Sequence, residues 1–274
     1  MKYGINVPNF GDYHDPATVA ELAAEAEDAG WDGFFTWDHL QGYGPVGDPT
    51  VTLAAIAART SRIRIGAMVT PLARRRPWKV AREMASLDHL SKGRIIMGVG
   101  LGNPPEEFSS FGEESDPKAR AERLDEGLDI MTALWSGEPV THHGKHYTLE
   151  EVTFTPRPLQ SPRIPIWVGG FWPSRPPMRR AAGFDGVYPA RNWPDTLTPE
   201  DLRGILSYVK VHRTSTAPFD AVAGGQTPGD PEAGAGLVEP WRLAGATWWS
   251  EDVNSWRGPL EEMRTRVRAG PPRL

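Results

Sequence analysis

Residues 62–102 read RIRIGAMVTPLARRRPWKVAREMASLDHLSKGRIIMGVGLG. Ile63 to Val69 is a short apolar run and predicts a strand. Pro77 opens a helix to Leu90, with Val80, Met84 and Leu87 on one face. Ser91-Lys92-Gly93 ends that helix, and Arg94 to Gly98 predicts the next strand. Two apolar runs joined by an amphipathic helix imply parallel strands with a crossover helix.

The same unit recurs on both sides. Tyr3 to Pro8 predicts a first strand. Asp15-Pro16 then starts a helix, with Asp15 as N-cap and Pro16 at its first position. Val19, Leu22, Ala23 and Ala26 share its buried face, and Gly30 closes it. Gly33 to Trp37 predicts a second strand, and Thr50 to Thr60 an Ala-rich helix. Beyond Gly100, residues 101–117 read as a long loop, of the kind that often serves as a lid or binding segment. Ala119 to Trp135 predicts a helix. Residues 137–163 are irregular, with a short strand or hairpin around Tyr147 and Val152 to Phe154. Strands are then predicted at Ile164 to Val168, Phe184 to Tyr188, Phe219 to Ala223 and Ala246 to Trp249. Helices are predicted at Met178 to Ala182, Pro199 to Thr214 and Pro259 to Val267. Eight strand signals give an α/β fold: a (β/α)₈ TIM barrel forming a single domain over residues 1–274, with insertion loops at the C-terminal face of the strands. An open doubly wound sheet competes, but no G-x-G-x-x-G follows the first strand.

The 274 residues suffice for one such barrel, and the formal charge of −5 argues against a nucleic-acid partner. With no cysteine, thiolate and disulfide chemistry is excluded. The chain opens without a charged region leading into an apolar stretch, and no apolar run reaches a membrane-spanning length. The expected location is the cytoplasm, with no membrane partner.

In a barrel of this kind the site lies at the C-terminal ends of the strands. That rule selects Trp37, Asp38 and His39 after the second strand, then Met68, Val69, Thr70 and Pro71. It also selects Gly100, Gly102 and Asn103, then Gly169, Gly170, Phe171 and Trp172, and finally Trp248 and Trp249. His39 is the expected proton-transfer group, because imidazole titrates near neutrality. Asp38 either orients it or caps the following loop. Gly98-x-Gly100-x-Gly102 lets backbone approach a flat ring or a phosphate, or simply makes a turn. Gly169-Gly170 either offers N–H groups to an anion, with Arg175, Arg179 and Arg180 nearby, or is a plain turn. His142, His143 and His146 read as a solvated loop, since Gly144 argues against a zinc-binding helix and no metal is expected. No nucleophile elbow or phosphate-binding P-loop is present.

Four segments carry a resemblance: GFFTWDHL (33–40), the stretch quoted above, LWSGEPVTHHGKHYTLEEVTF (134–154), and RIPIWVGGFWPSRPPMRRAAGFDGVYP (163–189). With the C-terminal AGATWW, their order and spacing resemble the luciferase-like monooxygenase superfamily. Within it, the chain is similar to oxidoreductases dependent on the deazaflavin coenzyme F420. The resemblance implies hydride transfer between F420 and a small organic substrate. The alternative is an FMN-dependent monooxygenase supplied by a flavin or F420 reductase partner. It implies a catalytic role for His39. It places Ala67, Met68 and Val69 in a bulge with a non-prolyl cis peptide behind the flat ring. Gly169, Gly170, Phe171 and Trp172 would hold the cofactor phosphate or tail, and residues 101–117 would cover the substrate. Arg74 to Arg76 and Arg175 are available for an F420 tail. Where the sugar-phosphate dehydrogenases of this family carry an acidic Glu, this chain has Asn103, and an amide delivers no proton at neutral pH. Glu106 or Glu107 is the expected substitute. Tryptophan-rich helices fit a homodimer.

Overall fold

A computed structural model of the chain describes residues 1–272. Its main sheet comprises β1 (Lys2–Val7), β2 (Gly33–Thr36), β3 (Arg64–Ala67), β4 (Thr70–Pro71), β5 (Met97–Gly100), β8 (Ile166–Phe171), β9 (Gly186–Ala190), β10 (Asp220–Gly225) and β11 (Trp248–Asp252). The order is β3-β2-β1-β11-β10-β9-β8-β5-β4, with parallel pairing throughout. β3 and β4 stand at the two ends of that order, yet they are consecutive in the chain. They are one strand broken at Met68–Val69, whose peptide bond is cis. The nine segments therefore make eight staves, and the sheet closes into a TIM barrel.

The crossover helices are α1 (Pro16–Asp28), α2 (Pro49–Arg59), α3 (Pro77–Ser91), α5 (Pro117–Leu134), α6 (Arg175–Ala181), α7 (Pro199–His212) and α8 (Pro231–Leu243), and α9 (Leu260–Arg268) follows the last strand. α4 (Glu106–Ser109) is a single turn within the 101–117 segment. Five helices begin alike: Asp15, Asp48, Asp116, Thr198 and Asp230 each cap first-turn N–H groups, and each is followed by proline. The cap satisfies an orphan donor, and proline sits where its missing N–H costs nothing. α8 has this signature but was not expected from periodicity. The hairpin expected near Tyr147 is β6 (Val140–His143) against β7 (Thr148–Val152), antiparallel, and it stops short of Phe154.

Two apolar layers fill the molecule. Ile5, Val7, Phe34, Ile65, Val99, Ile166 and Val187 point outward from the strands into the layer under the helices. Phe35, Met68, Ile96, Trp167, Val222 and Trp248 point inward and plug the barrel. The rings of Trp167 and Trp248 lie 5.2 Å apart, with Phe35 5.5 Å from Trp167. Gly33 and Gly186 leave them room: a Cβ would fall 2.9 Å from Trp248 and 2.5 Å from Trp167. The expectation that Trp248 and Trp249 lie at the site is thus corrected. β11 runs on to Asp252, so Trp248 lies in the barrel plug and Trp249 in the outer layer. Alternation from these positions turns Asn6, Ser250 and Asp252 inward at the C-terminal end of the barrel.

Candidate active site

The loop after β2 is held in place by the loop after β1. Asn9, buried, donates from Nδ2 to the carbonyls of His39 (2.9 Å) and Gly47 (2.8 Å). Its Oδ1 accepts from the His39 N–H at 3.1 Å. A Cβ at Gly42 would meet the Phe10 ring at 2.7 Å, so the loop lies directly on that ring.

Below the loop is a buried charge network. Arg74 donates to the Asp38 carboxylate at 2.7 Å and to its carbonyl at 2.6 Å. Its other terminal nitrogen donates to Glu107 Oε2 at 2.7 Å. Arg75 donates to both Asp38 oxygens at 2.8 Å. Two carboxylates and two guanidinium groups balance, which makes their burial tolerable. The second Glu107 oxygen accepts from His39 Nδ1 at 3.0 Å and from the N–H groups of Leu40 (3.1 Å) and Gln41 (3.3 Å). A carboxylate only accepts, so Nδ1 carries the hydrogen. Neutral His39 then presents Nε2 as a bare base.

Three expectations are corrected here. Asp38 orients Arg74 and Arg75, not His39. Glu107 is no substitute acid: it is buried, paired with Arg74, and it orients the imidazole. Arg74 and Arg75 are consumed by carboxylates and are not available to a cofactor tail. α4 explains the Glu107 position. Its Phe108 is buried against the guanidinium of Arg120, 4.6 Å from the ring centre, which anchors the turn beneath His39.

The residues expected around the cofactor divide into groups. Val69 is the knob of the bulge: a Cβ at Gly100 would lie 2.5 Å from it, and one at Gly169 2.7 Å. These glycines admit Val69. Gly98 likewise admits the Ala67 carbonyl and the Met68 sulfur. Met68 itself belongs to the barrel plug. Phe171 is inward at the end of β8, by alternation from Trp167. Ala67 and Thr70 instead line a cavity behind the barrel wall with Asp38, Leu53 and Met84. Gly170 packs on Pro177 of α6, and a Cβ at Gly102 would meet Pro71 and Phe108. Trp172 is buried in the outer layer with the Arg175 guanidinium 4.2 Å from its ring. Asn103 and Glu106 are exposed. His142 and His146 are not a solvated loop: they bond Glu126 (3.0 Å) and Glu122 (3.2 Å) of α5, while His143 is exposed beside Glu150. Among the described residues no group of side chains is arranged to hold a metal ion.

Sequence reading missed Asn6, Asn9 and Asp252. Asn6 and Asp252 are register partners on β1 and β11, with Asn6 Nδ2 3.5 Å from Asp252 Oδ1. Asn6 Oδ1 is buried without a partner. Burial pushes the Asp252 carboxyl up to about 6, with the Asn6 contact opposing and Glu251 reinforcing the shift. The available signal was a polar residue at an inward position of an apolar strand.

The molecule is a parallel barrel with an oriented histidine at the C-terminal end of its second strand. The model of the luciferase-like monooxygenase family matches residues 1–208. The chain belongs to that family. It is 34% identical over 215 residues to an F420-dependent glucose-6-phosphate dehydrogenase of Nakamurella multipartita, covering 74% of this chain and 61% of that one. The chain spans about half to three fifths of the length of such curated relatives. Among solved structures, an F420-dependent secondary alcohol dehydrogenase matches with TM-score 0.80 and 17% identity, covering 98% of this chain and 97% of that one. The monooxygenase RslO1 of Streptomyces bottropensis matches with TM-score 0.78 and 24% identity, over 98% and 97%. At these identities the two structures speak for the fold alone.

Proposed function

We propose that the chain is an oxidoreductase that binds coenzyme F420 in the barrel mouth and acts on a small organic substrate, with His39 as its proton-transfer group. The observation that carries the reading is the His39–Glu107 contact, which leaves Nε2 as a bare acceptor in the neutral ring. The dehydrogenase relative supports a deazaflavin over FMN. Of the arginines at 74–76, carboxylates hold Arg74 and Arg75, and Arg76 is exposed over the Trp78 ring.

The residues present fit such a cofactor. A deazaflavin has a flat tricycle with a polar pyrimidine edge. The unpartnered Asn6 Oδ1 and the neighbouring Asp252 carboxyl offer groups to that edge, and Val69 offers an apolar surface to the ring. When bound, the deazaflavin supplies a hydride acceptor or donor. His39 then takes the proton of a substrate hydroxyl at Nε2, or returns it to a carbonyl oxygen. Glu107 stabilises the imidazolium so formed. Asn9 and the Arg74 network hold the imidazole still. Asn103 and exposed Glu106 have no part in this scheme.

With this reading go a homodimer, which sedimentation tests, and, where the substrate is the group reduced, a separate reductase that supplies the reduced cofactor. The deciding experiment titrates the protein with F420 and with FMN while following tryptophan fluorescence. Saturable binding of F420, tighter than FMN, is expected. No saturable change with F420 overturns the reading, and saturable FMN binding alone transfers it to an FMN-dependent monooxygenase.

A further inference from the structure

The loops after β11, β1 and β2 come from adjacent staves. They span residues 253–259, 8–15 and 37–48, and their only Lys or Arg is Arg257. That arginine is already used. It donates to Glu251 Oε1 at 2.7 Å, to the Asp252 carbonyl at 2.8 Å and to the Thr227 carbonyl. The same loops gather aromatic rings around His39. Its imidazole lies 5.7 Å from Trp37 and 5.9 Å from Phe10. Trp256 stacks on Trp37 at 6.1 Å and meets Tyr43 edge-on at 5.9 Å. Tyr43 and Trp256 are 78% and 62% exposed, so the outer part of this cluster is open to solvent.

A sugar phosphate entering here would shed water from a dianion with no unpaired cation on these loops to receive it. An apolar ring would instead cover aromatic surface and gain edge and stacking contacts. We infer that the aromatic cluster beside His39 takes an uncharged alcohol or carbonyl compound bearing an apolar ring, and not a phosphorylated sugar. This rests on the proposed oxidoreductase reading for the chemistry but not for the binding, so the two are tested separately.

The test uses 1-phenylethanol, phenyl phosphate and glucose 6-phosphate as probes. Each is titrated into protein with and without F420, and binding is read by saturation-transfer NMR and tryptophan fluorescence. The expected order is 1-phenylethanol tightest, phenyl phosphate about tenfold weaker, and glucose 6-phosphate weakest. Trp256→Ala and Tyr43→Ala, both at exposed positions, should each weaken 1-phenylethanol roughly three- to tenfold while leaving F420 affinity unchanged. Binding of 1-phenylethanol no tighter than that of glucose 6-phosphate overturns the inference. So does a Trp256→Ala variant that loses F420 instead of the ring probe, which would give the rings to the cofactor. A changed oligomeric state in Trp256→Ala with probe binding intact gives them to a second copy of the chain and also overturns it. Failure of F420 to bind, with the ring probe binding as expected, sinks the cofactor reading alone.

Discussion

His39 owes its geometry to a residue 68 positions later in the chain. The strand-end rule made His39 legible in the sequence. Its partner was not, because Glu107 stands in a polar segment whose helical turn depends on Phe108 reaching Arg120. Two outcomes follow for this pair. Nitrogen NMR of neutral His39 should show hydrogen on Nδ1 and a bare Nε2; the opposite tautomer contradicts the assignment. Glu107→Gln keeps an acceptor for Nδ1 but leaves Arg74 short of a carboxylate in the interior. Chemical denaturation should show a loss of about 3–5 kcal/mol. A loss under about 0.5 kcal/mol, the range of an ordinary surface change, would contradict the network. Asp252 gives a pH signature. Its folded pKa of about 6 lies above its ordinary value, so the folded state favours the protonated form. That contribution is fully present below the ordinary carboxylate pKa and is lost as pH rises through about 6. At about 1.4 kcal/mol per pKa unit it amounts to roughly 2–3 kcal/mol. Asp252→Asn should flatten the stability profile between about pH 4 and 6. An unchanged profile removes Asp252 as its source.

At the scale of elements, the inward glycines and the Val69 bulge form one packed unit. Gly169→Ala places a methyl group 2.7 Å from Val69 and should cost about 1–3 kcal/mol in thermal or urea unfolding. Adding Val69→Ala should recover part of that loss. A double variant no more stable than Gly169→Ala alone would show that the glycine does not serve the bulge. The glycine runs were visible in the sequence, but what they accommodate was not, since the contact joins three staves. Strand ends were read short for a related reason. Ser250 and Asp252 look like loop residues, yet an inward position at the mouth accepts polar side chains. α8 shows the reverse: Asp230-Pro231 repeats the start signal of Asp15-Pro16, and only weak apolar periodicity hid it. Asp230→Ala should cost about 1 kcal/mol, as loss of an N-cap does. No change in stability would remove the cap from the account.

For the whole molecule, barrel closure was legible because eight apolar runs alternate with helices, a pattern that parallel pairing makes from local signals. Which staves meet at one end, and so which loops share a site, follows only once the sheet closes. That closure gathers Asn6 and Asp252, Val69 and His39 from four different staves. We propose that these groups form the seat of a deazaflavin. A crystal structure of the protein soaked in F420 tests it most directly. The expected density has the tricyclic ring against Val69, its polar edge at Asn6 and Asp252, and His39 facing it from the loop after β2. Cofactor density elsewhere on the molecule, or none at a saturating concentration of F420, would contradict it.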